Sequence, residues 1–145
     1  MKNFMMMALE QARIAKEYGE VPVGSVIVKE SYVLARAYNQ VEMKNDPTAH
    51  AEILAIKDAV RYINNWRLTG CTLYVTLEPC LMCMGAILNA RIKRVVYALG
   101  DNSKGAVASK IDLMRNPLFK SIEIYGGFCE EESAALFKDF FNKIR

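Results

Sequence analysis

"TLYVTLEPCLMCMGAI", residues 72–87, is the stretch on which the fold turns. Its first six residues, Thr72 to Leu77, are mostly β-branched, aromatic or aliphatic, the composition of a strand. Glu78-Pro79 stops that strand, since proline cannot continue a ladder. From Cys80 to about Arg91 the chain predicts a helix. A strand handed directly to a helix is the unit of an α/β protein.

Downstream, "RVVYAL" (94–99) predicts another strand and "GDNSKGA" (100–106) a loop. A short helical stretch, the strand "SIEIY" (121–125) and an amphipathic helix from about Glu130 to Lys143 follow. Upstream, residues 4–18 predict a helix ended by Gly19. "VPVGSVIVK" (21–29) and "YVLARAYN" (32–39) flank the turn Lys29-Glu30-Ser31 and predict a hairpin. After the turn-rich "MKNDPT" (43–48), a helix is expected from Thr48 to about Asn64, with Pro47 in its first turn and Asp46 or Thr48 as cap. Strands alternating with helices after an opening hairpin predict one α/β domain over residues 1–145, a three-layer α-β-α sandwich around a mixed sheet.

The 145 residues suffice for a single core. Hydrophobic residues make up 52% and charged ones 24%, an ordinary balance for a soluble protein. A net charge of +3 tolerates a polyanionic partner without arguing for one. The opening "MKNFMMMALEQAR" imitates a signal peptide, but Glu10, Gln11 and Arg13 break its apolar run, so an amphipathic first helix is the better reading. No stretch approaches membrane-spanning length. The cytoplasm is therefore the expected compartment, where the four cysteines stay reduced.

Cys80 and Cys83 have C-x-x-C spacing, which puts both thiols on one face of a first helical turn. A helix N-terminus favours thiolate, the form that binds metal. The spacing alone also admits a redox pair or two packed cysteines. His50, the only histidine in the chain, alters the balance, because it too lies near a helix start, one strand–helix unit earlier. Two cysteines and one histidine make three ligands, whereas structural zinc normally has four. Cys71 precedes the strand that Cys80 follows, roughly 20 Å or more away. The position of Cys129 is open at this stage. Three ligands and an open position are the pattern of catalytic zinc. Glu52 would not share a helix face with His50. It can approach a metal lying beyond the helix N-terminus, where it would exchange protons with water.

H-A-E followed by P-C-x-x-C is the signature of the zinc-dependent nucleobase deaminases. Together with "EVPVGSVIV", "NDPTAHAEI", "TLYVTLEPCLMCMGAI", "RIKRVVYALGD" and "AALFKDFFNKIR", it resembles the bacterial tRNA adenosine deaminase family over almost the whole chain. The resemblance implies a cytidine deaminase-like fold with a five-stranded mixed sheet and a homodimer with active sites close to the subunit interface. It implies conversion of adenosine to inosine at the wobble position of a tRNA anticodon, in an arginine tRNA. Carried over by position, His50, Cys80 and Cys83 hold one Zn2+ and Glu52 shuttles protons. Asn39 hydrogen-bonds the purine, Val23 packs against it, and the loop around Asp101 and Lys104 touches the anticodon loop. The implied chemistry is attack of zinc hydroxide on the six-position carbon of adenine, with Glu52 protonating the ring and then the leaving ammonia.

Two departures from the family bear on these expectations. Met84 is bulkier than the small residue often found at its position, which would change the pocket. The chain reaches Arg145 where many members continue into a basic tail, so weaker tRNA affinity is expected from that end. In the last helix, Phe137, Phe140, Phe141 and Ile144 repeat at the spacing of a core stripe, although aromatics among Lys138, Lys143 and Arg145 also suit RNA. Two rival functions stand beside the deaminase of tRNA. One is a deaminase of a free base or nucleoside, of guanine or cytosine type. The other is a noncatalytic nucleic-acid-binding module whose structural zinc takes Cys129 as fourth ligand.

Overall fold

A computed structural model describes residues 2–143. Helix α1 (Lys2–Glu17) leads into the strands β1 (Gly24–Lys29) and β2 (Tyr32–Tyr38). A one-turn helix α2 (Val41–Lys44) precedes α3 (Ala51–Ile63). Then come β3 (Cys71–Leu77), α4 (Leu81–Asn89), β4 (Arg94–Leu99), two short 3-10 turns, β5 (Glu123–Tyr125) and α5 (Glu130–Lys143).

The five strands form one mixed sheet in the order β2-β1-β3-β4-β5. The expected hairpin is present: β1 pairs antiparallel with β2, and Glu30 takes the left-handed conformation (φ 57°) that its tight turn requires. β3 runs antiparallel to β1 and parallel to β4, which is parallel to β5.

Side-chain alternation sorts the sheet into two faces. Val26, Val28, Tyr74, Val96 and Ala98 pack under α1 and α5, against Met5, Leu9 and Leu136. Ile27, Leu73, Val75 and Val95 face the other way, under α3 and α4, against Ala55, Ala59, Met84 and Ile87. This is the three-layer sandwich. Gly24 allows α1 to lie directly on β1, because a Cβ there would stand 2.0 Å from the Ala8 carbonyl oxygen. Among the described residues no helix is long and apolar enough to cross a membrane.

Several boundaries differ from expectation. α3 begins at Ala51, not Thr48, and neither Asp46 nor Thr48 caps it. The Asp46 carboxylate instead accepts from the Thr48 amide (2.8 Å) and hydroxyl (2.7 Å), closing a turn of its own. His50 becomes the extended N-cap residue, with no side-chain capping bond. Likewise Cys80 is the N-cap of α4 rather than its first turn. The last strand starts at Glu123 rather than Ser121. α2 has no helical period to reveal it. It exists because the fully buried Glu20 carboxylate accepts from the Glu42 and Met43 amides, at 3.0 and 2.7 Å. Ile144 and Arg145 lie outside the described residues.

Candidate active site

Two helix starts meet at one end of the sheet. β3 points its C-terminal end there, and Pro79 and Cys80 turn the chain into α4. Serine Ser25, on the neighbouring β1, donates to the Ala51 carbonyl (2.7 Å) and ties the first turn of α3 to the same end. His50 and Cys80, both extended N-cap residues, therefore face each other across a short gap.

The Nδ1 atom of His50 lies 3.6 Å from Cys80 Sγ and 3.5 Å from Cys83 Sγ. A tetrahedral zinc with bonds of about 2.3 Å to sulfur and about 2.0 Å to nitrogen would set these separations near 3.6 Å. The donor set therefore fits zinc in both chemistry and spacing. Among the described residues, these three form the one His/Cys/Asp/Glu group close enough to hold a metal ion. Cys129 is not part of it. It packs at the margin of the α1–α5 layer, and Cys71 is buried at the start of β3. The geometry thus offers no fourth cysteine for a structural zinc.

The three ligand groups shift one another's protonation. A hydrogen bond from Cys83, reinforced by His50 against the opposing effect of burial, pulls the Cys80 thiol down to about 4. The same contact and burial push the Cys83 thiol far up. The bond to Cys80 raises His50. Glu52 sits at the second position of α3, only 4% exposed, and burial raises its carboxyl to about 7.

Above this cluster opens a cavity of about 720 Å³. His50, Glu52 and Cys80 form its floor, with Cys83 buried beneath. Val23 and Asn39 form one wall, and Asp101 and Lys104 stand at the rim. Val23, Asn39, His50, Glu52, Cys80, Asp101 and Lys104 thus line one cavity, and Cys83 completes the cluster beneath it. The Asn39 carboxamide is held on both sides. Its Nδ2 donates to the Val21 carbonyl (3.2 Å) and its Oδ1 accepts from the Val41 amide (3.3 Å). One N–H and one lone pair remain for a ligand.

Three features escaped sequence reasoning. Glu20, a cavity-lining acid, fixes α2 beside Asn39. Glu78, beyond merely ending β3, is 2% exposed and gathers the rim loop. It accepts from the amides of Asp101, Val107, Ala108 and Ser109 at 2.9–3.1 Å, and from the Ser109 hydroxyl. Gly105 passes so close that a Cβ would stand 2.6 Å from the Glu78 carboxylate. The only available signal was an acid between an apolar strand and a C-x-x-C pair. Finally, Phe137, Phe140 and Phe141 line the cavity as well as the core. Phe140 is buried, as a core stripe requires, but Phe141 is 45% exposed. Met84 does not touch the cavity: it is wholly buried in the α3–α4 layer, so its bulk fills core rather than pocket.

The profile of the MafB19-like deaminase family matches residues 1–145. A tRNA-specific adenosine deaminase from Aquifex aeolicus is 44% identical, covering 98% of this chain and 94% of its own. One from Rickettsia bellii is 45% identical, covering 97% and 99%. A solved structure of a tRNA:A34 deaminase, described for A-to-I editing at the wobble position of transfer RNA, superposes with a TM-score of 0.89 at 43% identity, covering 94% of this chain and 99% of that one. The chain belongs to the tRNA-specific adenosine deaminase family.

Proposed function

We propose that this protein is a single-domain, zinc-dependent hydrolase that converts adenosine to inosine at the wobble position of a tRNA anticodon, releasing ammonia. The observation that carries the reading is the meeting of Asn39 and Glu52 in one cavity over the His50–Cys80–Cys83 cluster. The remaining donor and acceptor of Asn39 match the acceptor–donor edge that adenine presents through N7 and N6. Val23 offers the base an apolar flank. Bound by His50, Cys80 and Cys83, zinc supplies the acidity that makes water a nucleophile near neutral pH. Glu52, raised to about 7 by burial, carries one proton of that water to the purine ring nitrogen, then moves the second, from the hydroxyl added at the six-position carbon, onto the departing amine.

An unpaired anticodon base reaches such a cavity with little unstacking. Asp101 and Lys104 at the rim are then placed to meet the flanking nucleotides. The choice of an arginine tRNA rests on the family resemblance. So does the cytoplasm, the compartment of tRNA maturation. A homodimer with its active sites close to the subunit interface rests on the same resemblance, and Leu81, 55% exposed directly beside Cys80, is an apolar side chain such an interface would cover.

Incubation with an adenosine-containing anticodon stem-loop tests the reading. Inosine should form, and a chelator should abolish it. Turnover of free guanine or cytosine with the stem-loop untouched would replace this reading with that of a free-base deaminase.

A further inference from the structure

A second cavity, about 1100 Å³, opens at the opposite end of the sheet. Its walls come from residues that enter the three parallel strands: Trp66 and Gly70 before β3, Arg91 and Lys93 before β4, Leu118 and Ile122 before β5. The seven residues of β3 separate it from the zinc-ligand cluster, roughly 20 Å at strand rise. It is therefore no extension of the first cavity.

Its chemistry is unusual for a loop region. Trp66 is 49% exposed and Leu118 65%. The Arg67 guanidinium lies 4.4 Å from the Trp66 ring centre and that of Arg91 5.7 Å. Among the described residues no acid lines the cavity. Arg67, Arg91 and Lys93 take no part in an ion pair among the described residues. Arg91 also occupies a position that glycine usually fills. It closes α4 in a Schellman motif, with Arg91 N–H bonded to the Leu88 carbonyl (3.1 Å) and Ile92 N–H to the Ile87 carbonyl (3.3 Å), at a φ of 65°. A charged side chain with a Cβ is kept in a left-handed conformation, and it sets a cation beside an exposed indole.

We propose that this groove binds an unpaired segment of RNA, with one base stacked on Trp66 and the adjoining phosphates held by Arg91 and Lys93. An exposed aromatic flanked by uncompensated cations matches a π-face carried on a polyanionic backbone. A second copy of the chain is the poorer occupant, because a two-fold contact would set the same cations against one another. The inference rests on the proposed tRNA substrate only in choosing RNA over single-stranded DNA.

Trp66 is the only tryptophan in the chain, so its emission reports on this groove alone. The probe is an oligouridylate of about 12 nucleotides, which contains no adenine to deaminate. Saturable quenching is expected. Two phosphate contacts predict that log affinity falls against log salt with a slope of about −1.4. The double variant Arg91→Glu, Lys93→Glu should bind at least about tenfold more weakly, with unchanged zinc content and circular dichroism. Read by anisotropy of labelled RNA, Trp66→Phe should bind nearly as the parent, and Trp66→Ala about tenfold more weakly. Absence of quenching, or undiminished binding by the double variant, overturns the inference. So does emission that tracks protein concentration without RNA, which would assign the groove to a second copy. Inosine formation in a stem-loop, measured on the same preparation, separates the two readings. Turnover without quenching defeats the groove alone, and quenching without turnover defeats the deaminase.

Discussion

His50 Nδ1 lies 3.5 Å from Cys83 Sγ although 33 residues separate them in the chain. One strand and two helix starts close that gap, and the charge state of the pair follows from it. The contacts with Cys83 and His50 hold the Cys80 thiol down to about 4. Cys83, pushed up by Cys80 and by burial, keeps its proton.

Zinc binding at pH 7 should therefore release a proton from Cys83. Affinity falls as pH falls, because protons then compete for the ligands. Calorimetry in buffers of different ionisation enthalpy measures the release. Binding without proton release would contradict the assignment of Cys83 as a ligand. Cys83→Ala should lower zinc stoichiometry at equal protein concentration.

Glu78 anchors the rim loop, so its removal acts at a distance from the chemistry. Glu78→Ala leaves the buried Val107 amide and its neighbours without their acceptor. A loss of about 2–4 kcal/mol of stability is expected from unsatisfied amides, read by urea denaturation. The KM for a stem-loop should rise as Asp101 and Lys104 lose their fixed placement. Gly105→Ala should reproduce this, since its methyl group would enter the Glu78 carboxylate.

Glu20 acts on the opposite wall. Glu20→Ala frees the amides of Glu42 and Met43 and loosens the segment that carries Asn39. The expected signature is a KM raised about tenfold or more, on the scale of one lost charge-assisted hydrogen bond, with zinc content unchanged. Glu20→Gln, which retains one acceptor oxygen, should recover part of it. Equal KM values for parent and Glu20→Ala would show that α2 does not position the reading residue.

Packing gives a further test. In Gly24→Ala a Cβ would meet the Ala8 carbonyl oxygen at 2.0 Å and the Ala12 nitrogen at 2.5 Å, both backbone atoms of α1. A loss of about 3 kcal/mol is expected from such overpacking. A variant as stable as the parent in urea would mean that α1 does not lie on β1 as described.

Much of the site is readable from the chain because its chemistry is written locally. H-A-E and P-C-x-x-C announce their residue types, and the strand before each helix start places them at one end of a sheet. The hairpin was equally plain, since Lys29, Glu30 and Ser31 interrupt two apolar runs. What stayed hidden is long-range. Nothing local requires β3 to pair with β1, or makes Glu20 cap a helix 22 residues further along. Glu78 looked like a strand terminator because its partners lie 23–31 residues away. The start of α3 slipped from Thr48 to Ala51 because the turn closed by Asp46 satisfies its own amides. Helical spacing in α5 marks Phe140 as core but carries no sign that Phe137, Phe140 and Phe141 also face a cavity.

The central claim is that Glu52 moves protons at a metal it does not hold. Glu52→Gln, isosteric and without a titrating proton, is compared with the parent for zinc per chain and for the inosine rate in an adenosine anticodon stem-loop. Unchanged zinc with a rate lowered by about 10²–10⁴ is the predicted result. A Glu52→Gln protein that deaminates at the parent rate would contradict the account.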